Sequence, residues 1–234
     1  MRGVLLRDDE ARLRGEFVRY PEYEAADWAT QSLSVVIART GAAGWPNRSR
    51  EDYRRRAIVF LVIRILRAAR AGMAVHAAGW EVEARSMDRL LIESRARLIQ
   101  VSDDDNDETG REYLAGELHD SSRIADAIAA SAPQIEEPMM RDLYRALSQD
   151  SHADAHGITR SLVTVNEEDV SGELRWGPAL TIAARQSLVM YATLAAETAT
   201  FLAGDAQVEH PDRDALARRV EQAQDSLWEA MGEG

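Results

Sequence analysis

The chain has 234 residues, 45% of them hydrophobic, no cysteine and a formal net charge of −12. That length and apolar content supply a core for one large domain or two small ones, and they exclude a disordered chain or a disulfide-stapled miniprotein. The lack of cysteine removes disulfides, thiolate nucleophiles and thiolate metal sites outright.

Every basic residue is arginine, which fits a coding bias and carries little functional information by itself. The distribution of charge is more informative. Residues 1–100 hold 18 arginines against 13 acids, whereas residues 101–234 hold 10 against 27. An acidic chain is a poor non-specific nucleic-acid binder, because cations on phosphates supply most of that affinity, so any such binding needs a local basic face. The opening M-R-G-V-L-L-R-D-D-E lacks the apolar stretch and small-residue site of a secretion signal, and a cytoplasmic protein is expected. The most apolar run, Ala57 to Ile63, falls far short of the roughly 20 residues that span a bilayer, so no membrane partner is expected.

In chain order, residues 4–18 and 22–40 read as two amphipathic helices separated at Tyr20-Pro21, with Trp28, Leu33, Val36 and Ile37 facing inward on the second. A glycine- and proline-containing loop, 41–49, leads to a helix over about 50–71, with Ser49 and Asp52 as its start signal. That helix carries Arg50, Arg54, Arg55, Arg56, Arg64, Arg67 and Arg70 around an apolar run, which reads as a core helix with a solvated basic face or, alternatively, as a phosphate-contacting one. Gly72 is expected to break the chain there, and Met73–Val101 reads as the longest helix. Met73, Trp80, Ala84, Met87, Leu91 and Leu98 fall within about 60° on it, and Val82, Leu90, Ile92 and Ile99 lie off that stripe, so the helix is expected to be central.

Asp103 to Gly110 reads as a solvated acidic linker without the spacing or terminal glutamate of an EF-hand loop. A helix is expected over 111–131, with Leu114, Leu118, Ile124 and Ile128 on its buried side, and another over 138–156. The alternation in 162–176 suggests a small β-hairpin. Pro178–Leu202 reads as an alanine-rich core helix stopped by Gly204, and 212–231 as a last amphipathic helix with Leu216, Val220, Leu227 and Met231 on one side. The expected fold is one all-α domain over 1–234: N-terminal helices in 1–48, a core bundle in 50–202 that includes the small hairpin, and the C-terminal helix.

The candidate site lies on the 138–156 helix, where Tyr144 to Gly157 concentrates two of the five histidines. Arg141, Arg145, Ser148, His152 and His156 share about 80° of its circumference, while Met140, Leu143 and Leu147 centre elsewhere. Three readings of this stripe stand open. Arg145 binds a phosphate while His152, whose ordinary pKa is near 6.5, moves protons. Alternatively, His152 and His156 are two ligands of a metal such as zinc, completed by His119, Asp120 or Glu93; H-A-D-A-H lacks the glutamate of the H-E-x-x-H signature. In the third, these side chains cap, hydrogen-bond and fill an interface. On the long helix Arg85, Arg89 and Glu93 follow at four-residue steps, either as a solvated ladder of ion pairs or as groups that orient the 138–156 helix.

The order G-x5-R-x3-R-x3-E over Gly79, Arg85, Arg89 and Glu93, an acidic linker, and then Y-x2-L-S-x3-H at Tyr144, Leu147, Ser148 and His152 resembles an uncharacterised group of bacterial all-helical proteins, over about Ala57 to Leu202. Arg145 and His152 are also similar in spacing to the R-x4-6-H element of HEPN domains, helical bundles that often dimerise and include metal-independent ribonucleases of toxin and phage-defence systems. The resemblance implies a homodimer without a cofactor. It also implies Arg145 as phosphate clamp and His152 as general acid–base at a shared cleft, supported by Arg141, Ser148, His156, Arg89 and Glu93. The alternative from another class is a non-catalytic module that binds a partner protein or a small ligand.

Overall fold

Apolar residues recur at helical spacing in six segments, and each is a helix in the computed structural model, which describes residues 15, 17–43, 52–78, 80–103, 107–118, 162–165, 172–174 and 182–232. The helices are α1 (Pro21–Ala43), α2 (Tyr53–Ala77), α3 (Glu81–Asp103), α4 (Glu108–Ala115), α5 (Ile182–Asp205) and α6 (Arg213–Gly232), and the fold is an all-α bundle. Between α4 and α5, Leu162–Val165 (β1) and Gly172–Leu174 (β2) pair antiparallel at the position of the expected hairpin, Leu162 opposite Leu174 and Val165 opposite Gly172. Most of the expected helix at 4–18 and all of that at 138–156 lie outside the described residues.

Two helix pairs build the core. α1 lies along α5, and α2 along α3, while α6 packs across α1 and α5 and α4 covers the start of α2. α1 and α5 run in the same direction, because Glu22 meets Arg185 at one end and Arg39 meets the Glu209 carbonyl beyond the other. Their contact is lined by small residues, with Ala25, Ala26 and Ala29 from α1 and Ala184, Ala192, Ala195 and Ala199 from α5 all buried. Small side chains let the backbones approach, and Leu33, Ile58, Leu61, Ile65, Leu91, Leu98 and Leu188 are buried in the same core cluster. α3 buries Ala84, Leu91, Ile92, Ala96, Leu98 and Val101, as a helix with apolar groups on several sides requires.

One buried ion pair ties three helices together at their ends. Glu22, in the first turn of α1, is fully buried, and its Oε1 accepts from Arg185 Nε at 3.0 Å and Nη2 at 2.6 Å. The same Nη2 donates to the Ser226 carbonyl and hydroxyl of α6, each at 2.9 Å. A carboxylate at a helix N-terminus also complements the backbone dipole. Burying the pair brings a desolvation penalty comparable to its attraction, so its main effect is to specify how α1, α5 and α6 meet.

Several boundaries differ from the sequence expectation. Gly72 does not break the chain: α2 continues through it to Ala77, because a Cβ there would collide with the ring of Tyr191, 2.8 Å from its Cε2, and only glycine leaves room for that side chain. The break falls at Ala78, so Trp80 precedes α3 and is 46% exposed instead of inward. The helix expected over 111–131 stops at Gly116, whose φ of 75° and whose N–H bond to the Tyr113 carbonyl close α4. Met231 is exposed, while Leu216, Val220 and Leu227 are buried as expected.

The start of α2 shows why the acidic linker is not simply solvated. Three arginines, Arg54 to Arg56, stand in the first turn, where the helix dipole disfavours cations. Two carboxylates offset them. Asp52 caps the helix and accepts from the Arg55 N–H at 3.0 Å, while Asp107 accepts from the Tyr53 N–H at 2.9 Å and from the Arg54 N–H. The first three N–H groups, which have no partner within their helix, are all satisfied in this way. Arg54 in turn donates Nη2 to the Ser102 carbonyl at 2.8 Å, placing a cation at the C-terminus of α3. Gly110 lets α4 sit on this turn, since a Cβ there would lie 2.7 Å from Arg54 Cα.

Asp107→Ala strands two backbone donors and is expected to lower the unfolding free energy by about 1–3 kcal/mol. Asp107→Asn, which keeps an acceptor and tolerates the positive φ of 64° at this position, is expected to lose less. Urea unfolding of both variants checks the order, and equal midpoints for the parent and Asp107→Ala would refute the capping role.

Candidate functional site

A buried polar cluster sits inside the bundle, where α2, α3 and α5 meet. Asp88 of α3 is 1% exposed, and Ser187 and Tyr191 of α5 and His76 of α2 are buried with it. Ser187 Oγ donates to Asp88 Oδ2 at 2.7 Å, and the Tyr191 hydroxyl donates to Oδ1. Arg85, one turn before Asp88, brings Nη1 to 3.4 Å from Oδ2. His76 Nε2 stands 4.0 Å from Oδ1, and its ring is stacked on Phe17 with centroids 6.4 Å apart.

The electrostatics follow from the burial. Desolvation pushes the Asp88 carboxyl above its usual range, against the opposing pull of the bonds from Tyr191 and Ser187 and the charge of Arg85. Desolvation and then the neighbouring Asp88 charge raise the Tyr191 phenol well above its ordinary value. Burial, reinforced by Arg85, lowers His76 to about 4, so its ring is neutral at neutral pH.

A serine, a histidine and an aspartate in one cluster invite comparison with a hydrolytic triad, and the connectivity excludes it. A triad needs histidine bonded to both the nucleophile and the acid. Here Ser187 bonds directly to Asp88, and the 4.0 Å between His76 and Asp88 is too long for a hydrogen bond. His76 Nε2 has no hydrogen-bond partner among the described residues. The cluster is a packed polar network that fixes how α2, α3 and α5 sit against one another.

Of the residues that the sequence singles out, Arg89 and Glu93 are described. They form a hydrogen-bonded pair on α3, Nε to Oε1 at 2.8 Å, with side chains 30% and 23% exposed. They are half-buried and held, unlike a solvated ladder. Arg85 does not extend that pair but turns to Asp88. Arg141, Arg145, Ser148, His152 and His156, and the alternative metal ligands His119 and Asp120, lie outside the described residues. Among the described residues no group of three histidine, aspartate or glutamate side chains is placed to hold a metal ion, and no helix is long and apolar enough to cross a membrane.

His76, Asp88, Ser187 and Tyr191 were not legible as a set. One signal was present: Asp88 lies about 40° from Ala84 on the helical wheel, inside the apolar stripe of α3, where a carboxylate demands an explanation. No protein-family model, curated protein or solved structure matches the chain.

Neutral His76 couples the fold to pH. The unfolded side chain takes a proton as pH falls through about 6.5, and the folded one refuses it until about 4, so the stability that His76 contributes is complete above this window and is lost across it. Asp88 acts with the opposite sign, since its raised value lets the folded chain bind a proton first. Replacing His76 with phenylalanine is therefore expected to flatten the decline between pH 6.5 and 4 by up to about 3 kcal/mol, at about 1.4 kcal/mol per pH unit. Urea unfolding at stepped pH measures it, and parallel curves for parent and variant would contradict the assignment.

Proposed function

We propose that this protein is a HEPN-like helical protein that acts on RNA phosphodiesters without a metal. In this reading Arg145 clamps the phosphate and His152 transfers protons to and from the 2′-hydroxyl and the leaving oxygen, with Arg141, Ser148 and His156 in support. The observation that carries the reading is the Arg89–Glu93 pair, half-buried and joined at 2.8 Å on α3. Exposed ion pairs of this spacing contribute only about 0.3–0.5 kcal/mol, and in this reading the pair serves to orient the Arg145–His152 stripe. The all-α bundle is the architecture this reading requires, and a homodimer that shares the cleft is part of the proposal.

A second reading, a non-catalytic interaction module, is favoured by one observation. Trp228 is 68% exposed on α6 and Met231 stands one turn beyond it, also exposed, which suits a partner protein better than water.

Purified protein in EDTA is expected to cleave single-stranded RNA and to leave the same sequence as DNA intact. His152→Ala and Arg145→Ala are each expected to reduce the rate at least about 100-fold, the lower range for loss of a positioned acid–base group. Glu93→Gln, which acts through the orientation of other groups, is expected to reduce it less. Cleavage by His152→Ala at the parental rate would sink the catalytic reading and leave the interaction module.

A further inference from the structure

The outward face of α2 is unlike the rest of this acidic chain. Tyr53–Ala77 contains six arginines and no aspartate or glutamate, in a protein with 40 acids against 28 bases. Arg54, Arg55 and Arg70 are engaged, by Ser102 and Asp205, by Asp52 and by Asp27 respectively. Arg56, Arg64 and Arg67 are exposed, and no carboxylate among the described residues pairs with them. On the helical wheel these three and Phe60 fall within about 80° of one another, and the buried Leu61, Ile65 and Ala68 centre on another side. Phe60 is 57% exposed between Arg56 and Arg64. A single exposed aromatic is ordinary. An aromatic ring set among three guanidinium groups without a carboxylate partner, one of them, Arg56, lying over the Tyr53 ring at 6.0 Å, is not explained by the packing of the bundle, which uses the opposite face of the helix.

We propose that this face of α2 binds single-stranded nucleic acid, with Arg56, Arg64 and Arg67 on phosphates along one strand and Phe60 stacked on a base. From Arg56 to Arg67 the helix rises about 16 Å, at 1.5 Å per residue. At about 3.4 Å per nucleotide of a stacked strand, that length spans about five nucleotides. A basic track with an aromatic platform is the combination that holds single strands without reading sequence, because every base has a face to stack. Duplex bases are already stacked and leave Phe60 no partner. An anionic bilayer favours a helix with a broad apolar face turned outward, whereas the apolar face of α2 is in the core. An acidic peptide engages the arginines and leaves the ring without a counterpart. The site shares no residue with the Arg145–His152 stripe and so stands or falls apart from the proposed catalysis.

The test uses the full chain and a fluorescent oligothymidylate, whose missing 2′-hydroxyl prevents the proposed cleavage from interfering. Anisotropy at low salt is expected to show binding, with a slope of log affinity against log salt near −2, about 0.7 for each of three phosphates. The double variant R64Q/R67Q is expected to bind at least about tenfold more weakly and with a slope near −0.7. Phe60→Ala is expected to lose about tenfold with the slope unchanged, the signature of stacking in place of charge. The double variant R213Q/R218Q, the same loss of two charges at exposed positions on α6, is expected to bind as the parent does. No binding, arginine variants equal to the parent, or tighter capture of phosphatidylglycerol vesicles or polyglutamate through these same residues would each overturn the assignment. His152→Ala separates the two proposals. Oligothymidylate binding without RNA cleavage by the parent removes the catalytic reading alone, and cleavage without oligothymidylate binding removes the α2 surface alone.

Discussion

The carboxylate of Asp88 is the constraint around which the centre of this bundle is arranged. A carboxyl group sealed from water is costly to leave unbonded, and two hydroxyls from α5 reach it, Ser187 at 2.7 Å and Tyr191 on the other oxygen. Tyr191 approaches only because residue 72 of α2 is glycine, where any side chain would meet its ring. A glycine in mid-helix sacrifices about 0.5–1 kcal/mol relative to alanine. Here that loss admits the hydrogen bond that satisfies Asp88. α3 and α5 are thereby fixed by one network, with α2 seated on it through Gly72, and a shift of α3 or α5 by one turn would strand a buried carboxyl. His76 takes the remaining space as a neutral aromatic side chain beside Phe17 and Tyr191.

Electrostatic pairing at the helix ends complements that centre. Glu22 and Arg185 draw α1, α5 and α6 together at one end of the bundle. At the start of α2, Asp52 and Asp107 offset arginines that the helix dipole disfavours, and Arg54 closes the C-terminus of α3. The acidic linker is therefore anchored through one of its members. Asp27 engages Arg70, and the three arginines of α2 that have no carboxylate partner among the described residues share a single face with Phe60.

Much of the architecture was readable because local rules and global packing agree. Pro21 suits the first turn of α1, the apolar period of α5 and α6 matches their buried faces, and Leu33, Val36, Leu216 and Val220 are inward as their spacing implies. Gly72 departs from that agreement for an equally clear reason. Glycine within a helical pattern signals a break when only neighbours in sequence are considered, and the residue that explains it lies 119 positions away on α5. Trp80 and Met231 carry the right period for burial, yet Trp80 stands just before the first residue of α3 and Met231 in the last turn of α6, and both are exposed.

The sequence by itself determined the class of the fold, the excess of arginine on α2 and the pairing of Arg89 with Glu93, because each depends on spacing within one helix. Only the tertiary structure decided which charges are buried and which partners satisfy them. Asp88 joins Ser187 and Tyr191 across about a hundred residues, and Asp107 serves the N-terminus of a helix that begins 54 residues earlier. Desolvation and hydrogen-bond geometry are properties of groups brought together in space, and periodicity along one helix says nothing of the groups that another helix will bring.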